Sequence, residues 1–188
     1  MTQPGPPPLL PPGSIPRRPA TAAQATALAS AARLRILRMT FHHPMTNKEI
    51  AQRLGRDPAT TLHHVRKLVD AELLEALPVR RGTRGSREIP YRATGLSWAL
   101  DYDDDAVDAV TANQAMLEAF LGEVADAGVG NLDQWRLALR LADEDVEEFR
   151  QRLRDLLIEF AGRPVAPGNP LLGVYVAINP TPEPEARN

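Results

Sequence analysis

The sequence predicts an α+β chain, with a winged helix-turn-helix over residues 21–98 followed by a small α+β unit over residues 99–180 in the order helix, strand, long helix, strand. Three observations predict it. Two capped helices are separated by the short turn Gly55-Arg56-Asp57, a basic and glycine-punctuated hairpin follows them, and the charge of the chain changes sign near residue 98.

Residues 1–20 hold eight of the eighteen prolines together with Gly5 and Gly13, so this segment reads as a disordered tail. Its Pro16-Arg17-Arg18 reads as solvated tail charge, with a minor-groove arm as the alternative. From Thr21 to about His42 the chain reads as helix, with Leu28, Leu34, Leu37 and Phe41 inward and Arg33, Arg35 and Arg38 solvated or reaching phosphate. Pro44 ends this element. Thr46-Asn47-Lys48-Glu49 is a capping box, so a helix starts there, buries Ile50 and Leu54, and stops at the left-handed position of Gly55.

Asp57-Pro58 opens the next helix, because Asp caps well and Pro is preorganised for the first helical position. It runs to about Ala71. Val65 and Leu68, with Leu62 or Thr61, make its buried stripe and leave Ala59, Thr60, His63, Arg66 and Lys67 facing outward. Short hydroxyls and imidazole reach base edges, while Arg and Lys reach phosphates, so this face is the candidate major-groove reader; Thr46 and Lys48 are counted with it.

The hairpin runs out from Leu73 to Val79, turns through residues 80–87, and returns from Glu88 to Ala93. Four arginines lie in that turn, and Arg81, Arg84 and Arg87 are the candidate phosphate or minor-groove contacts of the wing. Pro90 lacks a ladder donor, so a free edge is expected beside it.

Charge divides the same way. Residues 21–98 carry thirteen Lys/Arg against six Asp/Glu, a net of +7, whereas residues 99–163 carry six against sixteen, a net of −10. The whole-chain value of −2 conceals a polyanion-binding half joined to an acidic half. With no cysteine, disulfides, zinc ribbons and thiolate nucleophiles are excluded. No apolar run approaches the about 20 residues a spanning helix needs, and no signal peptide is recognisable, so a cytoplasmic protein without membrane association is expected.

The segments Arg33-Leu34-Arg35-Ile36-Leu37-Arg38, Glu49-Ile50-Ala51-Gln52-Arg53-Leu54-Gly55, Leu62-His63-His64-Val65-Arg66-Lys67-Leu68 and Asp70-Ala71-Glu72-Leu73-Leu74 closely resemble the successive motifs of ArsR-type winged-helix repressors. The likeness covers about residues 24–95. It implies a dimeric bacterial transcription regulator on an operator with inverted-repeat symmetry, with Thr60, His63 and their neighbours in the groove. Two departures stand out. Ala31-Ala32 replace the usual Pro-Thr, and Glu72 replaces the usual Gly before the first wing strand.

Metal-sensing members of that family carry a cysteine pair in the first helix of the motif or His, Asp and Glu ligands on a terminal helix. Here the first helix reads Asn47-Lys48-Glu49-Ile50-Ala51, and the four histidines form the adjacent pairs His42-His43 and His63-His64. Adjacent helical positions point about 100° apart and cannot easily share an ion, so a regulator of the non-metal-sensing kind, without cofactor, is expected.

Beyond Trp98, the Asp101–Asp108 run reads as a solvated linker and helix start, since it lacks the spacing and glycine of a calcium loop. A helix with Val110, Leu117, Phe120, Leu121 and Val124 on its apolar face stops near Gly128. Residues 135–141 alternate as a strand, Asp143 caps a long helix bearing Val146, Phe149, Leu153, Leu156, Leu157 and Phe160, and Leu172, Val174, Val176 and Ile178 alternate in a closing strand. Similar tails occur in actinobacterial ArsR-like regulators. This acidic half is expected to dimerise or to take a small apolar ligand, and residues 181–188 read as a second disordered tail.

No nucleophile elbow, phosphate-binding glycine loop or metalloprotease pattern is present, so an enzyme is not expected. The function these features point to is sequence-specific binding of double-stranded DNA by a homodimeric repressor. The alternatives are a winged-helix protein-interaction module that no longer reads DNA, which the basic wing opposes, and an RNA binder, which the absence of any aromatic between Phe41 and Tyr91 opposes.

Overall fold

The computed structural model describes residues 16–82, 85–101, 107–163, 168–169 and 171–180. The first fifteen residues of the tail, residues 102–106 of the acidic run, Arg84 at the wing tip and the tail over 181–188 lie outside them. The chain divides into one compact unit ending at Ala127 and a second beginning at Gly128.

In the first unit, β1 (Arg18–Pro19) lies parallel to β7 (Leu100–Asp101), and Arg17 forms an ion pair with Asp101. Arg18 donates to Gln24 Oε1 at 3.3 Å, so both arginines are tied to the domain and are not the solvated tail charge that the sequence predicts. The predicted single helix over 21–42 is two: α1 (Ala22–Leu28), opened by a Thr21/Gln24 capping box, and α2 (Ala31–His42). The break has a physical cause. Arg33 is buried, and its guanidinium donates to the carbonyl oxygens of Ala27 and, at 2.7 Å, Thr26, which are free only because α1 ends there.

Next come β2 (Met45–Thr46), α3 (Asn47–Leu54) and α4 (Pro58–Asp70), then β3 (Leu74–Ala76), β4 (Arg80–Arg81), β5 (Arg87–Glu88) and β6 (Pro90–Ala93). The sheet order β2-β6-β3 makes β6 central, with Thr46 opposite Pro90. The free edge expected at Pro90 is therefore covered. Pro is tolerated because it is the first residue of its strand, and its carbonyl still accepts from Leu77 N–H at 2.8 Å. Ile36, Ile50, Val65, Leu68, Leu73 and Leu74 fill the core between helices and sheet, each at most 2 % exposed. In α4 it is Thr61, not Leu62, that joins Val65 and Leu68 inside, and its hydroxyl donates to Asp57 O at 2.9 Å.

After a short 3-10 turn over Leu96–Ala99, the helix α5 (Val107–Ala127) packs on α2 and α1 and belongs to this first unit, beyond the boundary at residue 98 that the charge change predicts. Its buried face is only partly the expected one, with Phe120 and Val124 half-buried. Ala112, Ala115 and Ala119 are buried, and a Cβ at Gly122 would lie 3.3 Å from Arg35 Nη1, so small residues admit α5 close to α2. Arg35 pairs with Asp126 and Arg38 with Glu123 at 3.1 Å, so both arginines are engaged with α5. Val110, Leu117 and Leu121, predicted to be the packing face, are exposed together with Met116.

The second unit contains a 3-10 turn over Val129–Asn131 and the helix α6 (Asp143–Ala161). Asp143 is its first helical residue rather than its cap. Ala142 holds the cap position, and Asp143, Glu144 and Asp145 meet the positive end of the helix dipole. Among the described residues, neither of the segments predicted as strands, 135–141 and 172–178, belongs to a sheet.

Candidate nucleic-acid interface

The helix-turn-helix is held by caps. Thr46 accepts from Glu49 N–H at 3.2 Å while Glu49 Oε2 accepts from Thr46 N–H at 2.6 Å. Gly55 takes the left-handed conformation at φ +61°, which ends α3, and the Asp57 carboxylate accepts from Ala59 and Thr60 N–H at 2.8 and 3.1 Å, which starts α4. Asn47 Nδ2 donates to Pro58 O at 2.9 Å, fastening the two helices directly. With Thr61, Val65 and Leu68 inward, α4 exposes Ala59, Thr60, His63, Arg66 and Lys67, the i, i+1, i+4, i+7, i+8 face that the sequence assigns to the groove.

Lys48 is exposed at the start of α3. Thr46 is not: it is 5 % exposed with its hydroxyl used in the cap, so it positions α3 rather than meeting a ligand. Arg53 and Arg56, which the sequence reading did not single out, are exposed beside the turn. Nothing in the helical periodicity marks them, because the two flank a glycine at the helix end.

Arg81 and Arg87 sit directly opposite each other across β4 and β5, both exposed. Like charges in facing strand positions repel, and a phosphate between them relieves that cost. Arg80 instead pairs with Glu49 at 3.0 Å and Glu88 at 3.7 Å, which ties the base of the hairpin to the start of α3. No sequence signal announces this link, since thirty-one residues separate the partners. Glu72, at φ +60°, adopts the left-handed conformation that a glycine would occupy without strain, and the Thr94 hydroxyl donates to its carbonyl at 2.9 Å.

Two titrating groups lie within this frame. The Thr46 backbone N–H, assisted by the Thr46 hydroxyl and Arg80 and opposed by burial, holds the Glu49 carboxyl below the usual carboxylate range. Burial, then the charges of Arg33, Arg56, His63 and Lys67, pushes the His64 imidazole below its ordinary value, and its Nδ1 is buried with no hydrogen-bond partner. His63 stays on the outer face, its ring 6.2 Å from that of His64. Among the described residues no three His, Asp or Glu side chains gather as a metal set, and no helix is long and apolar enough to cross a membrane.

These elements, two capped helices crossing at a tight turn with a hairpin after them, make the first unit a winged helix-turn-helix. Residues 28–75 match the family model of a helix-turn-helix domain. No curated protein matches the chain. Among solved structures, it is similar to a homodimeric winged helix-turn-helix DNA-binding domain of a possible ArsR-family transcriptional regulator from Mycobacterium bovis, at 25% identity over 63% of this chain and 86% of that one, with TM-score 0.35. It is also similar to a mutant of ZitR from Lactococcus lactis, at 23% identity over 72% and 86% with TM-score 0.30. A MarR family protein of Mycobacterium tuberculosis in complex with salicylic acid matches at 18% identity over 70% and 83%, again with TM-score 0.30.

Proposed function

We propose that this chain is a sequence-specific DNA-binding transcription regulator of ArsR-like, non-metal-sensing type, acting as a homodimeric repressor that occludes a promoter. The observation that carries the reading is the exposed row Ala59, Thr60, His63, Arg66 and Lys67 on a helix capped at its leading end, together with the facing arginines 81 and 87. Thr60 and His63 read base edges; Lys48, Arg66, Lys67, Arg81, Arg84 and Arg87 hold phosphates; Thr46 positions the motif. The homodimer is supported by the outer face of α5, where Val110, Met116, Leu117 and Leu121 are 40–72% exposed on a helix already fixed to the domain by its other side. Two half-site contacts linked in this way bind far more tightly than one.

The test is a mobility-shift assay with the DNA upstream of the protein's own reading frame against random DNA of the same length. Preferential binding of the upstream DNA supports the proposal. Equal affinity for both removes the sequence-specific part, and no binding of either removes the proposal altogether.

A further inference from the structure

The arm of the wing is a separate piece of sheet. β4 and β5 form a two-stranded sheet of their own, and residues 77–79 on one side and Ile89 on the other stand between it and the β2-β6-β3 sheet. Val79 and Ile89 are 43% and 44% exposed, so the core does not grip this joint. A two-stranded hairpin is marginal on its own, and its angle to the domain has to be set by side chains. Arg80 supplies the hold. Its Nη2 donates to both carboxylate oxygens of Glu49, at 3.0 and 3.2 Å, and its Nε lies 3.7 Å from Glu88 Oε2. Glu49 also caps α3 by accepting from Thr46 N–H, and Thr46 pairs with Pro90, two residues beyond Glu88. These contacts close a ring from α3 through the sheet to the arm and back. Gly82 makes room for it: a Cβ there would run into the Glu88 carboxylate, which accepts from the Ser86 hydroxyl at 3.5 Å. Because side chains alternate along a strand, the neighbouring pair Arg81 and Arg87 points to the face opposite Arg80 and Glu88.

We propose that Glu49, Arg80 and Glu88 are positioning residues for the wing: they clamp its arm to the start of α3 and so fix where Arg81 and Arg87 meet DNA, without contacting DNA themselves. This rests on the DNA-binding reading above and adds to it the group that aims the wing. Exposed ion pairs add little to stability, but a planar guanidinium held between two carboxylates has few allowed geometries, so the ring contributes orientation rather than folding energy. The sign of one effect separates this role from plain electrostatics. Removing a carboxylate from a DNA-binding surface ordinarily strengthens binding of the polyanion, and here it would also free Arg80 for a phosphate. Removing a clamp weakens binding instead, because the arm then has to be ordered by the DNA.

The experiment uses full-length chain with Glu49→Gln, Arg80→Met, the double variant of these two, and Gly82→Ala. Gln at position 49 keeps the capping box, Met at 80 keeps the apolar stem, and Ala at 82 keeps every charge while displacing the Glu88 carboxylate. Two quantities are read: backbone NMR order parameters over residues 80–82 and 85–88 without DNA, and mobility shifts on upstream and random DNA. The wild-type arm is expected near the rigid value of about 0.85, and Glu49→Gln and Arg80→Met below about 0.6, with α4 unchanged, which a misfolded variant could not show. Glu49→Gln should weaken binding of both DNAs about threefold or more, Gly82→Ala should do so in part, and the double variant should bind no worse than Arg80→Met alone. Tighter binding by Glu49→Gln overturns the proposal, as do losses that add in the double variant or an arm equally ordered in all chains. A wild type that binds no DNA overturns the DNA-binding reading; the order parameters, taken without DNA, still decide whether the ring clamps the arm.

Discussion

The two units treat apolar residues in opposite ways. In the first, Ile36, Ile50, Val65, Leu68, Leu73 and Leu74 are sealed by caps, sheet and a neighbouring helix; in the second, α6 buries no residue, and Phe149, Leu156 and Phe160 are 39–54% exposed. The difference lies in what each can cover. The first unit folds several helices over a sheet, whereas in the second, among the described residues, α6 has no sheet to pack against. Amphipathic pattern is thus common to both, and closure belongs to one alone.

The largest expected effect separates these cases directly. Leu68→Ala leaves a void in a site with no exposed surface and should cost about 2–5 kcal/mol in urea unfolding. Leu172→Ala, at a residue 79% exposed, should change the unfolding of dilute chain by less than about 0.5 kcal/mol. Comparable losses at both positions would mean that the second unit closes on itself.

Within the first unit, Thr60→Ala or His63→Ala should cost roughly 1–3 kcal/mol of operator affinity in quantitative mobility shifts and relax the base preference. Arg81→Ala should weaken specific and random DNA about equally and lower the salt slope by about one. Equal sequence preference in wild type and the α4 variants would place the reading face elsewhere.

Acid should act on the first unit. The folded values of Glu49 and His64 both lie below the unfolded ones, so their stability is present above the unfolded range and lost as pH falls through the folded value, His64 first and Glu49 at lower pH. The thermal midpoint should therefore drop on acidification from neutral pH, and His64→Gln should flatten the upper part of that drop. A midpoint that rises on acidification would contradict the assignment. The smallest effect is a gain: Glu72→Gly relieves a left-handed residue at φ +60° and should stabilise by about 0.5–1 kcal/mol, read as a higher denaturation midpoint.

How far the sequence carried each of these features depended on how local its cause was. The capping box at Thr46, the Gly55 stop and the Asp57-Pro58 start are written in four or fewer consecutive residues, and with them the outward row of α4 could be read before any coordinates. Long-range causes could not. Arg33 turns inward because carbonyls at the end of α1 await a donor, and Arg35 and Arg38 turn to Asp126 and Glu123 on a helix about ninety residues away. The face of α5 is legible only in part for a related reason: hydrophobicity favours Leu117 and Leu121 as well as the half-buried Phe120 and Val124, whereas close packing on α2 selects Ala112, Ala115 and Ala119. Period-two alternation over 135–141 and 172–178 indicated strands, but a strand exists only with a partner, and alternation does not say where that partner is.

The most direct test of the central claim, that the capped α4 face and the arginine wing together read DNA, is a salt series of mobility shifts with the chain's own upstream DNA, comparing wild type with Thr60→Ala/His63→Ala. Wild-type affinity should fall steeply, linearly in the logarithm of salt concentration, while keeping its preference over random DNA; the variant should keep the slope and lose the preference. Binding insensitive to salt, or a preference unchanged by the double substitution, would contradict it.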